Sequence, residues 1–251
     1  MPGEVGAWRI ERHATIGSTN VEAQARLGNP GAGGTVIVAD EQTFGEGRHG
    51  RRWIAEPGTG LLFTAILPVP VPTSAAWVVP LWAGLAAAQA LQDEFEVATT
   101  LQWPNDLLLD ERKLGGILCV SRVVGRQSWI GVGIGVNVHR PQSRRAWAEI
   151  VPPPIALEEV VAAGEDARPR LLAAILARIE DDLAALDAPA NVARRWERRS
   201  GLPRAYRFAF DDGARLEGSA LRIATGGGLV VRTAEGERTI ELAAEARVVR
   251  G

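Results

Sequence analysis

Residues 101–138 read LQWPNDLLLDERKLGGILCVSRVVGRQSWIGVGIGVNV. Apolar runs lie at 101–103, 107–109, 116–122 and 128–138, and only short turns separate them. Strands joined this tightly pair as antiparallel hairpins, because a parallel crossover needs a dozen or more connecting residues. A doubly wound parallel sheet is therefore disfavoured. Working outward, 35–39 and 61–67 read as buried strands, the second stopped by Pro68, Pro70 and Pro72. Helices are predicted at 19–27, with Ser18 or Thr19 as N-cap and Gly28 beyond the end, at 75–94 and at 168–186. Composition shifts near Arg199. From 202 to 249, short strands alternate with the turn signals Asp211-Asp-Gly213, Gly226-Gly-Gly228 and Glu235-Gly-Glu237, as in a small SH3-like barrel. The predicted fold class is α/β (α+β): a mixed, largely antiparallel sheet with helices over 1–198, plus a small C-terminal SH3-like β-barrel over 199–251.

Charge and composition narrow the function. A net charge of -2 gives no global basic field, so nucleic acid is not an expected partner. The single cysteine, Cys119, excludes an internal disulfide framework. The opening Met1-Pro-Gly-Glu-Val-Gly-Ala-Trp8 lacks the basic and apolar regions of a signal peptide. The apolar run at 75–91 is short for a membrane span and reads as a buried helix, so no membrane role is expected and the cytoplasm is the expected location. There are 27 arginines and one lysine, Lys113. Arginine is a planar fork and lysine a compact point charge, so a site that keeps lysine in such a chain draws notice.

Four segments carry candidate chemistry. In Gly45-Glu-Gly-Arg-His-Gly-Arg-Arg-Trp53, preceded by Asp40-Glu41-Gln42, three glycines permit close backbone approach and amide cradling of an anion. Arg48, Arg51 and Arg52 add fixed positive charge, and Trp53 offers a flat face for a nucleobase. Gly45, Gly47 and Gly50 match a dinucleotide-binding spacing, but no helix opens after them, so that reading fails. The bland alternative is an exposed basic hairpin. In Trp103-Pro-Asn-Asp106 and Arg112-Lys-Leu-Gly-Gly116, a proline-asparagine turn aims Asp106 while Lys113 lies across the next turn. An ordinary hairpin capped by Asp106 is the competing reading. Gly131-Val-Gly-Ile-Gly-Val-Asn-Val138 leaves one strand face bare, making room beside it, and places polar Asn137 in an apolar strand. Gly17-Ser-Thr-Asn20 alone is no more than a helix cap. Three of the five asparagines (Asn20, Asn105 and Asn137) and the one lysine fall in these segments.

Together, and in this order, the segments resemble biotin protein ligases. The family carries a Ser-Thr-Asn segment, a Gln before a glycine-arginine loop ending in Trp, a Lys-Trp-Pro-Asn-Asp segment, an Arg-Lys-Leu-x-Gly turn and a Gly-x-Asn strand. The resemblance implies the catalytic fold of biotin and lipoate ligases with a C-terminal barrel. It also implies a two-step reaction: the carboxylate of biotin attacks the α-phosphate of ATP, and a lysine of a biotin carboxyl carrier protein then attacks the mixed anhydride. ATP, Mg²⁺ and biotin are the implied small molecules, and a homodimer the implied assembly. By family position, Ser18, Thr19, Asn20, Gln42, Gly45, Glu46, Gly47, Arg48, Lys113, Gly115 and Gly116 border biotin. Arg48, Arg51, Trp53, Asn105 and Asn137 border the nucleotide. Lys113, Arg48 and Asp106 are the implied catalytic set, with Asp106 also near Mg²⁺.

Two positions depart from the family pattern. Glu46 stands where the loop usually has arginine, and Gln102 where the Trp-Pro-Asn-Asp segment is usually preceded by lysine. Both remove positive charge. Little chain precedes the first motif, so the N-terminal DNA-binding helix-turn-helix of some relatives is not expected. A lipoate or octanoate ligase on the same fold would carry an Arg-Arg-x-Ser-Gly-Gly-Gly-type loop, which is absent. A cysteine-dependent octanoyltransferase needs a poised thiol, whereas Cys119 falls in an apolar strand. A non-catalytic binder of biotin or its adenylate is the alternative from another class.

Overall fold

The computed structural model describes residues 3–5, 7–143, 147, 150, 152–241 and 245–249. The first sheet is built from β1 (Gly3–Val5), β2 (Trp8–Ile16), β3 (Thr35–Gln42), β4 (Gly60–Ile66), β5 (Val71–Pro72), β6 (Thr100–Gln102), β7 (Asp106–Leu109), β8 (Arg112–Val124) and β9 (Gln127–Asn137). Its order is β1-β2-β3-β4-β9-β8-β7-β6, with β5 attached to β9. Consecutive strands from β6 to β9 pair antiparallel, as their short connections require. The pair β2–β3 is parallel and is joined by α1 (Thr19–Arg26), a crossover unit. The sheet is therefore mixed and largely antiparallel, as predicted.

All seven residues of β4 are buried, so both faces of the sheet are covered there. On one side lie α2 (Val79–Phe95), α3 (Ala167–Asp181) and α4 (Pro189–Ser200). On the other side α1 seals a small second core, in which Ala23 and Leu27 meet Ile37 and Ile66. That packing pins the N-terminus of α1, and with it Ser18, against the sheet.

Several boundaries differ from the sequence reading. The helix predicted at 75–94 begins as a 3₁₀ turn at Ala76–Val78, and α2 proper starts at Val79 with Pro80 in its first turn, where a missing N–H costs nothing. The helix predicted at 168–186 ends at Asp181, and a 3₁₀ turn at Leu183–Asp187 follows. The short strands β1 and β5 went unread, and so did two longer elements. β2 alternates Trp8 and Ile10 with charged residues, and α4 is so arginine-rich that its buried stripe of Val192, Ala193 and Trp196 is easily overlooked.

Beyond Gly201, the strands β10 (Arg204–Ala209), β11 (Arg215–Ile223), β12 (Leu229–Thr233), β13 (Gly236–Ile240) and β14 (Glu245–Val248) form an antiparallel sheet. Its order is β13-β12-β11-β10-β14. Tyr206, Phe208 and Leu229 from this sheet share one continuous core with Trp103 and Leu101. The C-terminal sheet is thus packed onto the β6–β7 turn.

Candidate functional site

The polar floor of the site begins where parallel pairing sets Ile16 beside Gln42. Chain leaving β2 turns directly into α1, so Ser18, Thr19 and Asn20 gather beside the end of β3. Ser18 caps the helix through the Val21 N–H. Gln42 Oε1 accepts from the Thr19 N–H at 2.7 Å and from the Thr19 hydroxyl at 3.0 Å. Thr64, on β4, stands 2.9 Å from Thr19 Oγ1 and 2.7 Å from Asn20 Oδ1. Asn20 Nδ2 then donates to the Leu118 carbonyl at 3.0 Å. Thr19, Asn20 and Thr64 are all buried, and this relay satisfies them. Because Gln42 turns its oxygen to Thr19, what its amide has left to give is N–H.

The charged wall lies across the cavity. Lys113 Nζ is 2.6 Å from Asp106 Oδ1 and 5.7 Å from the centroid of Trp53. Segment 153–155 runs alongside: Lys113 N–H donates to the Pro153 carbonyl, and the Lys113 carbonyl accepts from the Ile155 N–H. Asn137 Nδ2 ties the two together, donating to the carbonyls of Lys113 and Ile155 at 3.2 Å each. Asn105 Nδ2 donates to the Ile117 carbonyl at 2.6 Å, which closes the β6–β7 turn onto β8. Asn20, Asn105 and Asn137 therefore each brace backbone within the site.

The 45–53 loop folds as a small hairpin, with Gly47 N–H on the Arg51 carbonyl, Trp53 N–H on the Gly45 carbonyl, and a bridge between Glu46 and Arg52. Arg48 rests 6.0 Å from the Trp103 ring centroid. Burial pulls its guanidinium pKa down; Asp106 opposes that shift and Arg51 adds to it. A cation set in such a partly dry place attracts an anion more strongly than one in open water. Glu46 is exposed at the rim.

A cavity of about 340 Å³ joins the two ends. Of the residues singled out by sequence, Ser18, Thr19, Asn20, Gln42, Glu46, Gly47, Arg48, Arg51, Trp53, Asn105, Asp106, Lys113, Gly116 and Asn137 line it. Gly45 and Gly115 lie behind the wall: an added Cβ would stand 2.6 Å from the Trp53 carbonyl and 2.7 Å from the Gly135 carbonyl, respectively. Trp53 and Asn20 pack against the bare face of the glycine strand β9, whose Gly133 and Gly135 also line the cavity. A Cβ at Gly135 would meet the Trp53 indole at 2.8 Å, and one at Gly133 would collide with Asn20.

Thr64 was missed as a functional candidate, and so were Ala246 and Arg247 of β14, which reach the cavity wall, while Gln102 was marked only as a departure from the family pattern. Their neighbours are distant in sequence, so no local pattern marks them. Among the described residues, no group of three or more His, Cys, Asp or Glu side chains comes together to hold a metal. Cys119 packs against the core, and burial pushes its thiol up to about 12, leaving little thiolate at neutral pH.

Tyr206 links the C-terminal sheet to this site, its hydroxyl accepting from the buried Trp103 N–H at 3.2 Å. Tyr206→Phe strands that donor and should lower unfolding stability by about 1–3 kcal/mol. Denaturant midpoints check this, and an unchanged midpoint would mean that another acceptor takes over.

Residues 14–137 match the model of the biotin/lipoate A/B protein ligase family. The bifunctional ligase/repressor BirA of Bacillus subtilis is 32% identical over 55% of this chain and 42% of its own length. A biotin--[acetyl-CoA-carboxylase] ligase of Mycobacterium tuberculosis is 34% identical over 71% of this chain and 65% of its own length. The chain thus spans less than half of the first of these relatives and about two thirds of the second. Among solved structures, the biotin protein ligase of Aquifex aeolicus in complex with biotin and ATP superposes with a TM-score of 0.76 at 25% identity, covering 96% of this chain and 99% of that one.

Proposed function

The chain belongs to the biotin/lipoate A/B protein ligase family, and from that premise we propose that it activates biotin with ATP and transfers the biotinyl group to a lysine of a biotin carboxyl carrier protein. The observation that carries this reading is a single cavity with a neutral hydrogen-bonding floor at Thr19 and Gln42 and a cationic wall at Arg48 and Lys113. Biotin has the same polarity, a neutral ureido head and a carboxylate tail. The matched Aquifex aeolicus structure, which contains biotin and ATP, supports the assignment.

In the first step, a biotin carboxylate oxygen forms a bond to the α-phosphorus while the bond to the leaving pyrophosphate breaks. Two unit negative charges at 4 Å repel by about 4 kcal/mol at an effective dielectric of 20. Arg48 and Lys113 offset that repulsion, and Asp106 keeps the Lys113 ammonium on station at 2.6 Å. In the second step, the amine nitrogen of the carrier lysine attacks the carbonyl carbon, AMP departs, and one of the two amine protons leaves to solvent or base, the other staying on the new amide nitrogen.

Asp106 gives Mg²⁺ at most one carboxylate, and its Oδ1 is engaged by Lys113. This donor set suits an ion that arrives on the phosphates of ATP, where it would neutralise their charge. The carrier, the cytoplasmic location and a homodimeric assembly are proposed on the resemblance of the motifs. No helix of the described residues is long and apolar enough to cross a membrane.

The test is to mix the protein with ATP, Mg²⁺, biotin and a biotin carboxyl carrier domain, then weigh the carrier. A gain of one biotinyl group that requires both ATP and Mg²⁺ is expected. Attachment of lipoate without biotin would overturn the substrate assignment.

A further inference from the structure

Gln102 is 4% exposed and ends β6, beside Trp103. Its amide makes two bonds to the backbone of one distant strand. Nε2 donates to the Ala246 carbonyl at 3.3 Å, and Oε1 accepts from the Val248 N–H at 3.2 Å. Both partners belong to β14, whose Ala246 and Arg247 stand on the cavity wall. The neighbouring Trp103 carries Arg48 on its ring and donates its indole N–H to the Gly227 carbonyl at 3.0 Å. Gln102 therefore sits where three things meet: the cationic end of the cavity, the β6–β7 turn and the edge strand of the C-terminal sheet.

We propose that Gln102 is a positioning residue that clasps β14 against the cationic end of the cavity and so sets the geometry of the nucleotide's side of the site. A side chain with one donor and one acceptor is needed to grip a carbonyl and an N–H of the same strand. An amide supplies both, whereas the lysine that the resembled family carries at this position supplies donors alone. Loss of charge here is thus the gain of a two-point contact. Among the described residues β14 pairs in its sheet with β10 alone, so the clasp acts on its free side.

The inference rests on the proposed ligase reading, and its test separates the two. Gln102→Met keeps volume and removes both bonds. Gln102→Lys keeps a donor for Ala246 and removes the acceptor for Val248. The first readout is amide hydrogen exchange on the whole protein, which needs no activity. Exchange at Val248 should speed up in both variants while the core of β4 and β9 stays unchanged. Equal protection in wild type and variants overturns the clasp. The second readout is the Michaelis constants for pyrophosphate release. Gln102→Met should raise KM for ATP about tenfold and leave KM for biotin within about twofold. A general loss of folded protein would lower the rate without splitting the two constants, and that result overturns the positioning role. A wild type that releases no pyrophosphate from biotin and ATP defeats the ligase reading and the nucleotide part of the inference, while the exchange result still decides the clasp.

Discussion

Lys113→Ala is expected to cut pyrophosphate release from biotin and ATP by about two to three orders of magnitude, the usual loss when one donor aimed at developing charge is removed. The ammonium is held at 2.6 Å from Asp106 and faces the Trp53 ring at 5.7 Å. Removing it leaves the Asp106 carboxylate, 14% exposed, as a negative charge beside the meeting point of two anions. The loss is thus a missing attraction and an uncovered repulsion together. Lys113→Arg should also lose most of the activity although it keeps the charge. The ammonium lies between Asp106 and the Trp53 ring, and a longer planar fork would displace one or the other. Single-turnover measurements under saturating ATP would check both. Near-normal release from the arginine variant would remove Lys113 from the chemistry.

The second large effect is expected at Gly133→Ala, which should weaken biotin binding by about 10- to 100-fold, in line with overpacking costs of ~1–3 kcal/mol. Its Cβ would collide with Asn20 Oδ1 and stand 2.6 Å from the Leu118 carbonyl. Neither neighbour yields easily. Leu118 is paired backbone of β8, and Asn20 is tied to Thr64 and to Leu118 itself. Displacing Asn20 would shift the Thr19–Gln42 end of the floor. Calorimetric titration with biotin measures the change. Wild-type affinity in a fully folded variant would show that the relay does not hold the ligand's head.

These two positions also show what was legible before the structure. Lys113 stood out because it is the chain's one lysine and sits between Asp106 and a glycine pair. The mixed sheet followed from the tight spacing of β6 to β9. The glycine strand was noticed for the room it leaves, and Trp53 and Asn20 pack against that face beside the cavity. Periodicity reveals room beside a strand and is silent on which side chain takes it. Thr64 could not be found locally, since its partners lie 44–45 residues away, and Gln102 stood out only as a departure from the family pattern because its partners lie 144–146 residues away. α4 was hidden by its own surface, because arginine fills four of the positions outside its buried stripe, Arg194, Arg195, Arg198 and Arg199.

The solitary ε-amine on the cavity wall also makes the protein its own reporter. An amine-acylating reagent finds, besides the α-amine, one target in the whole chain, and it faces the site. Guanidinium groups keep their protons and stay silent to such reagents at neutral pH. The rate of labelling at Lys113 therefore reads occupancy directly, slowing as a ligand fills the space between Arg48 and Lys113. In the proposed reaction the same scarcity protects the catalyst. An activated acyl group that escapes the cavity meets a surface of arginines, on which it has almost nothing to modify.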